Sequence, residues 1–130
     1  MRGAIVDTSV WIDFFCGALK GSTRNQLLSL IDAERALITD VIKFELFVGT
    51  KSQQDFSRMR GYTSVLSCLS IPPASVDDFI VFGAQLRKRG LLGTYTDTAI
   101  AYLAQKHGLP VMSFDKYFTK LAAAEIIDKV

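Results

Sequence analysis

Four acidic residues carry the first chemical signal in this chain: Asp7, Glu45, Asp97 and Asp115. Asp7 ends a short apolar run, Gly3-Ala4-Ile5-Val6, that reads as a buried strand, and two hydroxyls, Thr8 and Ser9, follow it before an amphipathic helix begins. Asp115 repeats that arrangement after Val111-Met112-Ser113-Phe114. In open α/β sheets ligands bind at the carboxyl ends of the strands, where connections leave a crevice and the next helix opens with unsatisfied N–H groups. Helical spacing puts Glu45 on one face with Val41 and Val48, with Ile42 and Phe44 adjoining. A carboxylate in the middle of an apolar surface is costly unless it is paired or bound to a metal. Asp97 heads the stripe Asp97, Ile100, Ala101, Ala104, which directs it inward, toward the sheet edge.

Each acid also has an ordinary explanation. Asp7 and Asp115 fit helix N-caps, Thr94-Tyr95-Thr96-Asp97 fits a capping box, and Glu45 fits a buried ion pair. As a set they say more than they do singly: two at strand ends and two on inward helix faces make one cluster, whose mutual repulsion calls for a cation. A few oxygen ligands suit Mg²⁺, with Mn²⁺ as a substitute. Zinc would ask for Cys or His, and the one histidine, His107, precedes Gly108 at a helix C-terminus, where a structural role suffices. The chemistry expected of such a site is metal-assisted phosphodiester cleavage, with Thr8, Ser9 and Ser113 as supporting hydroxyls.

The elements that must position these side chains alternate. Strands are expected at 3–7, 36–38, 67–71 and 109–114, with a last short one at Ile126-Ile127. Helices are expected at 9–16, 22–32, 41–48, 53–66, 75–89, 96–107 and 115–121, with Ser22 as a cap of the second, Thr39 or Asp40 capping the third, and Ser75 opening a capping box. Strands separated by helices argue for an α/β fold whose parallel sheet is covered on both faces. Trp11, Phe14 and Phe15 with Leu27, Leu30 and Ile31 exceed what one helical hairpin usually needs against a sheet; core packing is the default for most of them, and part of that surface is a candidate for a partner helix or a second protomer.

Length and composition set bounds. At 130 residues, 49% hydrophobic and 22% charged, the chain is expected to be a single domain over residues 1–130 with a real core. No apolar run approaches the ~18 residues of a membrane span, and the N-terminus lacks a basic region followed by an apolar stretch, so no membrane partner and a cytoplasmic location are expected. Cys16 and Cys68 form no CxxC pattern and read as small apolar fillers. A net charge of +2 says little about nucleic acid. Phosphate contacts are sought instead at Arg87-Lys88-Arg89, Lys43, Lys51 and Lys116.

At this point the pattern resembles the PIN-domain ribonucleases, and among them the VapC toxins of toxin–antitoxin pairs. The matching pieces are Asp7-Thr8-Ser9 with Trp11-Ile12, Glu45-Leu46 with Gly49, Asp97 with Ile100-Ala101, and Ser113-x-Asp115 with Phe118, in the family's order and over nearly the whole chain. The resemblance implies a PIN-like three-layer α/β/α sandwich with a central parallel sheet, and Mg²⁺-dependent endonucleolytic cleavage of structured RNA such as tRNA or rRNA. It also implies a homodimer, and inhibition by a VapB-type antitoxin docking a C-terminal segment along a groove that leads to the acids. Under it Asp7 and Asp97 are metal ligands, and Glu45 and Asp115 complete the pocket. Ser113 stands where the family often has Thr, which keeps the hydroxyl. The alternatives are a PIN-fold nuclease of RNA maturation or structure-specific DNA cleavage, and a non-catalytic metal-binding module. A phospho-receiver would need a pair of acids after the first strand and one at the end of the third, and small phosphatases need an acid where Ser9 stands; neither is present. No GxxxxGK[ST] or GxGxxG loop occurs.

Overall fold

The computed structural model describes residues 3–130. Its elements are β1 (Ala4–Val6), α1 (Thr8–Phe15), α2 (Gly21–Asp32), β2 (Ala36–Thr39), α3 (Asp40–Val48), α4 (Gln53–Thr63), β3 (Ser67–Leu69), a 3₁₀ turn (Pro73–Ser75), α5 (Val76–Lys88), α6 (Tyr95–His107), β4 (Val111–Met112) and α7 (Lys116–Ala123). The four strands form one parallel sheet in the order β3-β2-β1-β4. With the helices packed around it, this is the expected α/β sandwich. Ala4, Ile5 and Val6 are fully buried, as a strand covered on both faces requires.

The helices stop and start for local reasons. Thr39 caps α3, its hydroxyl accepting from the Ile42 N–H, and Thr94 caps α6 in the same way through the Asp97 N–H. Gly108 ends α6 in the left-handed conformation, at φ 62°, that a side chain disfavours. Residues 98–104 of α6 are all buried, so this helix runs through the interior with no solvent face along its middle turns.

Several expectations need correction. The large apolar residues of the first two helices are not surplus: Trp11, Leu27 and Leu30 are buried, and Phe14, Phe15 and Ile31 pack against the core. Cys16 and Cys68 are exposed, not fillers, because one lies just past the end of α1 and the other on the edge strand β3. Helix α2 begins at Gly21, with Lys20 in the capping position in place of Ser22. A 3₁₀ turn started by Pro73 takes up the region where Ser75 was expected to cap, and Ser75 makes no capping bond. Ile126 and Ile127 are buried without being a strand; the chain pairs two residues later, through a bridge between Val111 and Lys129. Among the described residues no helix is long and apolar enough to cross a membrane.

Because Thr39 carries the cap of the helix that bears Glu45, Thr39→Ala is expected to cost about 1 kcal/mol. Urea unfolding followed by circular dichroism measures it; an unchanged midpoint would show that the cap contributes nothing.

Candidate active site

Asp7 sits where β1 meets α1, in the N-cap position, yet its carboxylate makes no capping bond. It turns instead across the sheet edge. Ser113 Oγ donates to Asp7 Oδ2 at 2.7 Å and Ser9 Oγ donates to the same oxygen at 3.2 Å. The register that allows this is set by the backbone: the Asp7 N–H donates to the Met112 carbonyl, which brings the ends of β1 and β4 side by side. Ser9 and Ser113 also order the chain beyond β4, accepting from the Phe114 and Asp115 N–H groups respectively. Only 6% of Asp7 is exposed, so this oxygen network holds a carboxylate nearly out of water.

The other acids arrive from three directions. Asp97 lies in the first turn of α6, where Thr94 is the cap and accepts from the Asp97 N–H, the half of the expected capping box that is present. Glu45 projects from α3 and accepts from Thr8 Oγ1 at 2.8 Å, which ties that helix to the start of α1. Asp115 does act as an N-cap, accepting from the Tyr117 N–H at 2.9 Å. The ordinary explanation is therefore right for Asp115 and wrong for Asp7. For Glu45 the expectation of an apolar setting fails differently. Phe44, Val48 and Glu45 itself are exposed, because α3 buries Ile42 and Leu46 and turns the opposite face outward.

The four acids share one electrostatic field. Asp97 is pushed up to about 6, first by burial and then by the charges of Asp115, Asp7 and Glu45, with its hydrogen bond to Thr94 acting the other way. Among the described residues none of the four is ion-paired; the salt bridge present joins Lys106 to Asp78 at 2.7 Å, at the far end of α6. Nor does any group of three His, Cys, Asp or Glu side chains among these residues close around one point as they stand. Glu45 is turned to Thr8 and Asp115 to its cap, an arrangement that unscreened like charges favour. The donor chemistry fits a small hard divalent cation: carboxylates and hydroxyls, with no thiolate or imidazole among them. His107 is exposed in the last turn of α6, away from this edge.

Tyr117, which the sequence did not single out, helps hold Asp97 in place through the glycine-containing link Gly90-Leu91-Leu92-Gly93. Tyr117 donates its phenol O–H to the Leu91 carbonyl at 2.8 Å, and its ring lies so close over Gly93 that a Cβ there would stand 2.6 Å from it. The link into α6 is thereby fastened to α7. The signal was visible as glycines spaced at 90 and 93, but not which ring would fill the space. Of the basic candidates, Lys51 shares a groove with Glu45 and Lys116 directly follows Asp115. Arg87 and Lys88 line a separate cavity with Tyr95 and Thr98, and Arg89 is exposed just past α5. Lys43 lines a cavity with Phe47, Phe56 and Arg60, on a different side of α3 from Glu45.

Asp97 gives this site a pH signature. A carboxyl raised in the folded state binds a proton there that the unfolded chain has lost, so stability falls as pH rises from the ordinary aspartate value of 3.8 through about 6. Asp97→Asn is thus expected to raise the melting temperature at pH 7.5, with the gain disappearing near pH 4. A gain of the same size at both pH values would show that the cost of ionising the buried Asp97 carboxyl is not its cause.

Comparison with known proteins accords with this geometry. No curated protein gives a significant sequence match. Among solved structures, the chain is similar to VapBC2 from Rickettsia felis bound to a DNA fragment from its promoter, at 14% identity and TM-score 0.76, covering 98% of this chain and 96% of that one. It is similar to DNA-bound VapBC from Salmonella typhimurium at 22% identity and TM-score 0.74, with 92% of each chain covered. A toxin–antitoxin complex from Klebsiella pneumoniae matches at 23% identity and TM-score 0.70, over 96% and 95%. These likenesses establish the shared fold. The family model described as PIN domain matches residues 4–124, and the chain belongs to the PIN-domain family.

Proposed function

We propose that the protein is a Mg²⁺-dependent endoribonuclease, the toxin of a VapBC-type pair, cleaving structured RNA such as tRNA or rRNA. The observation that carries this reading is the convergence of Asp7, Glu45, Asp97 and Asp115 on one sheet edge without a cationic partner. A structural role would be expected to neutralise them with lysine or arginine. Similarity to two solved VapBC complexes and a further toxin–antitoxin complex supports the toxin assignment.

Asp7 and Asp97 would hold the divalent ion. When bound, it supplies Lewis-acid activation of the scissile phosphate and of the attacking water. Asp7 is suited to ligation because Ser113 and Ser9 both bond Oδ2, which fixes the carboxylate in one orientation. Asp97, whose proton affinity is raised by burial and by the other acids, would be the carboxylate whose ionised form a bound cation favours most. Glu45 and Asp115 orient water for in-line attack on phosphorus, and the 3′-oxygen leaves. Thr8 steadies Glu45 in that work. Lys51, Lys116 and the Arg87-Lys88-Arg89 run supply phosphate contacts around the pocket; Lys43, on another side of α3, is the weakest of the candidates.

An antitoxin has a place to bind. A groove of about 530 Å³, walled by Ile12, Phe15, Leu46 and Met59, reaches Glu45 at the acid pocket. Near it Ile12 is 49% exposed, and on α3 Phe44 and Val48 are 67% and 65% exposed. Apolar surface of this kind fits an amphipathic segment of a VapB-type partner. The same reading includes a homodimer, as the family resemblance implies.

Induced expression of the wild-type chain and of Asp7→Ala, followed by mapping of RNA ends, tests the proposal. Growth arrest and one dominant RNA cut are expected from the wild type alone. Equal arrest by Asp7→Ala, or arrest with intact RNA, would falsify it.

A further inference from the structure

Tyr95 is an aromatic residue that the core does not use. It is the first residue of α6, two positions before Asp97 in the same turn, and 70% of it is exposed. A T-shaped contact with Phe79 of α5, centroids 5.8 Å apart and planes at 78°, fixes the tilt of the ring without covering it. The ring walls a cavity of about 730 Å³ between α5, the glycine-containing link and α6. Phe79, Leu92 and Gly93 form more of that wall, and the exposed cations Arg87 and Lys88 line the same space.

An aromatic face beside two cations matches a nucleotide in both its parts, the base by stacking and the phosphate by charge. A purely apolar ligand would leave the cations unused. A helical duplex would leave the ring unused, because its bases are already stacked and paired. We infer that this cavity seats an unpaired nucleobase of the substrate on Tyr95, with its phosphate toward Arg87 and Lys88, so that a neighbouring phosphodiester lies at Asp97. The site thereby selects looped or single-stranded segments within structured RNA. Tyr95 is a positioning residue, since it touches substrate away from the reacting phosphorus. The inference rests on the nuclease reading above.

The test is steady-state cleavage, with Mg²⁺, of a short RNA hairpin spanning the mapped cut, in which each loop nucleotide in turn is replaced by an abasic one. Tyr95→Ala is expected to raise KM on the order of tenfold with a smaller change in kcat, and Tyr95→Trp to keep the wild-type KM. One abasic position should raise the KM of the wild type by a similar factor and add nothing to Tyr95→Ala. An unchanged KM in Tyr95→Ala, or an abasic penalty of equal size in both proteins, overturns the inference. So does a Tyr95→Ala variant that cleaves normally while its monomer–dimer equilibrium shifts, which assigns the ring to contact between copies. A wild-type chain that cuts no RNA removes the nuclease reading and this inference with it; a wild type that cuts alongside an indifferent Tyr95→Ala removes the stacking alone.

Discussion

Repulsion between carboxylates held at one sheet edge is the constraint that the rest of this structure answers to. The neighbours of those carboxylates are chosen accordingly. Asp7 is bonded by Ser113 and Ser9, Glu45 by Thr8, and Asp115 by the Tyr117 N–H. Every one of these donors is neutral. A hydroxyl or amide fixes a carboxylate in direction and favours its ionised form without adding a positive charge nearby. An arginine in the same place would hold the geometry equally well, but would cancel the field and compete with an incoming cation. The neutral donors keep the acids both oriented and electrostatically open, and Asp97, raised first by burial, carries the charges of the other three on top of it.

The fold holds that repulsion by anchoring its members to different parts of the core. Asp7 hangs from the fully buried β1, Asp115 follows the neighbouring β4, and Glu45 comes from α3, which packs against both α1 and α6. Asp97 stands at the head of a helix buried along its middle turns. That helix is secured at its far end by the Gly108 turn and the Lys106–Asp78 pair, and at its near end by the Thr94 cap and the Tyr117 hold on Leu91. Sliding one acid away from the others would require moving packed side chains, which is more costly than tolerating a raised proton affinity.

What sequence could and could not deliver follows from the range of the interactions involved. Asp7 and Asp115 were legible as strand-end acids because strand, hydroxyl and helix start are adjacent in the chain, and the strands near 4–6, 36–39, 67–69 and 111–112 were likewise legible from short apolar runs. The order β3-β2-β1-β4 was not, since it depends on pairing between distant segments. Periodicity correctly put Glu45 among apolar residues, and then misled. It shows that Val41 and Val48 share a face with Glu45 and that Ile42 and Phe44 adjoin it, but not that the core would take Ile42 and Leu46 and leave Phe44 and Val48 outside. The same limit hid the fate of Phe14, Phe15 and Ile31, which found the partners that the pattern alone did not supply. Whether Asp7 or Asp115 would cap its helix could not be decided locally either: the residue that diverts Asp7, Ser113, lies 106 positions away.

The misplaced apolar surplus bears on how such a site can be silenced. Apolar residues that the core does not use lie at Ile12, in the wall of the groove that reaches Glu45, and at Phe44 and Val48 on α3. An occupant bound there by apolar burial is brought beside Glu45, the one of the four acids that lines the groove. If that occupant carries a cationic side chain, it relieves the repulsion that would otherwise draw in a divalent ion, and it gains from the same unneutralised charge. Substrate and inhibitor would then compete through electrostatics at the pocket as well as through space. Under the proposed function, the bare carboxylates would favour a partner that brings positive charge, and the exposed apolar border would favour one that brings an apolar face.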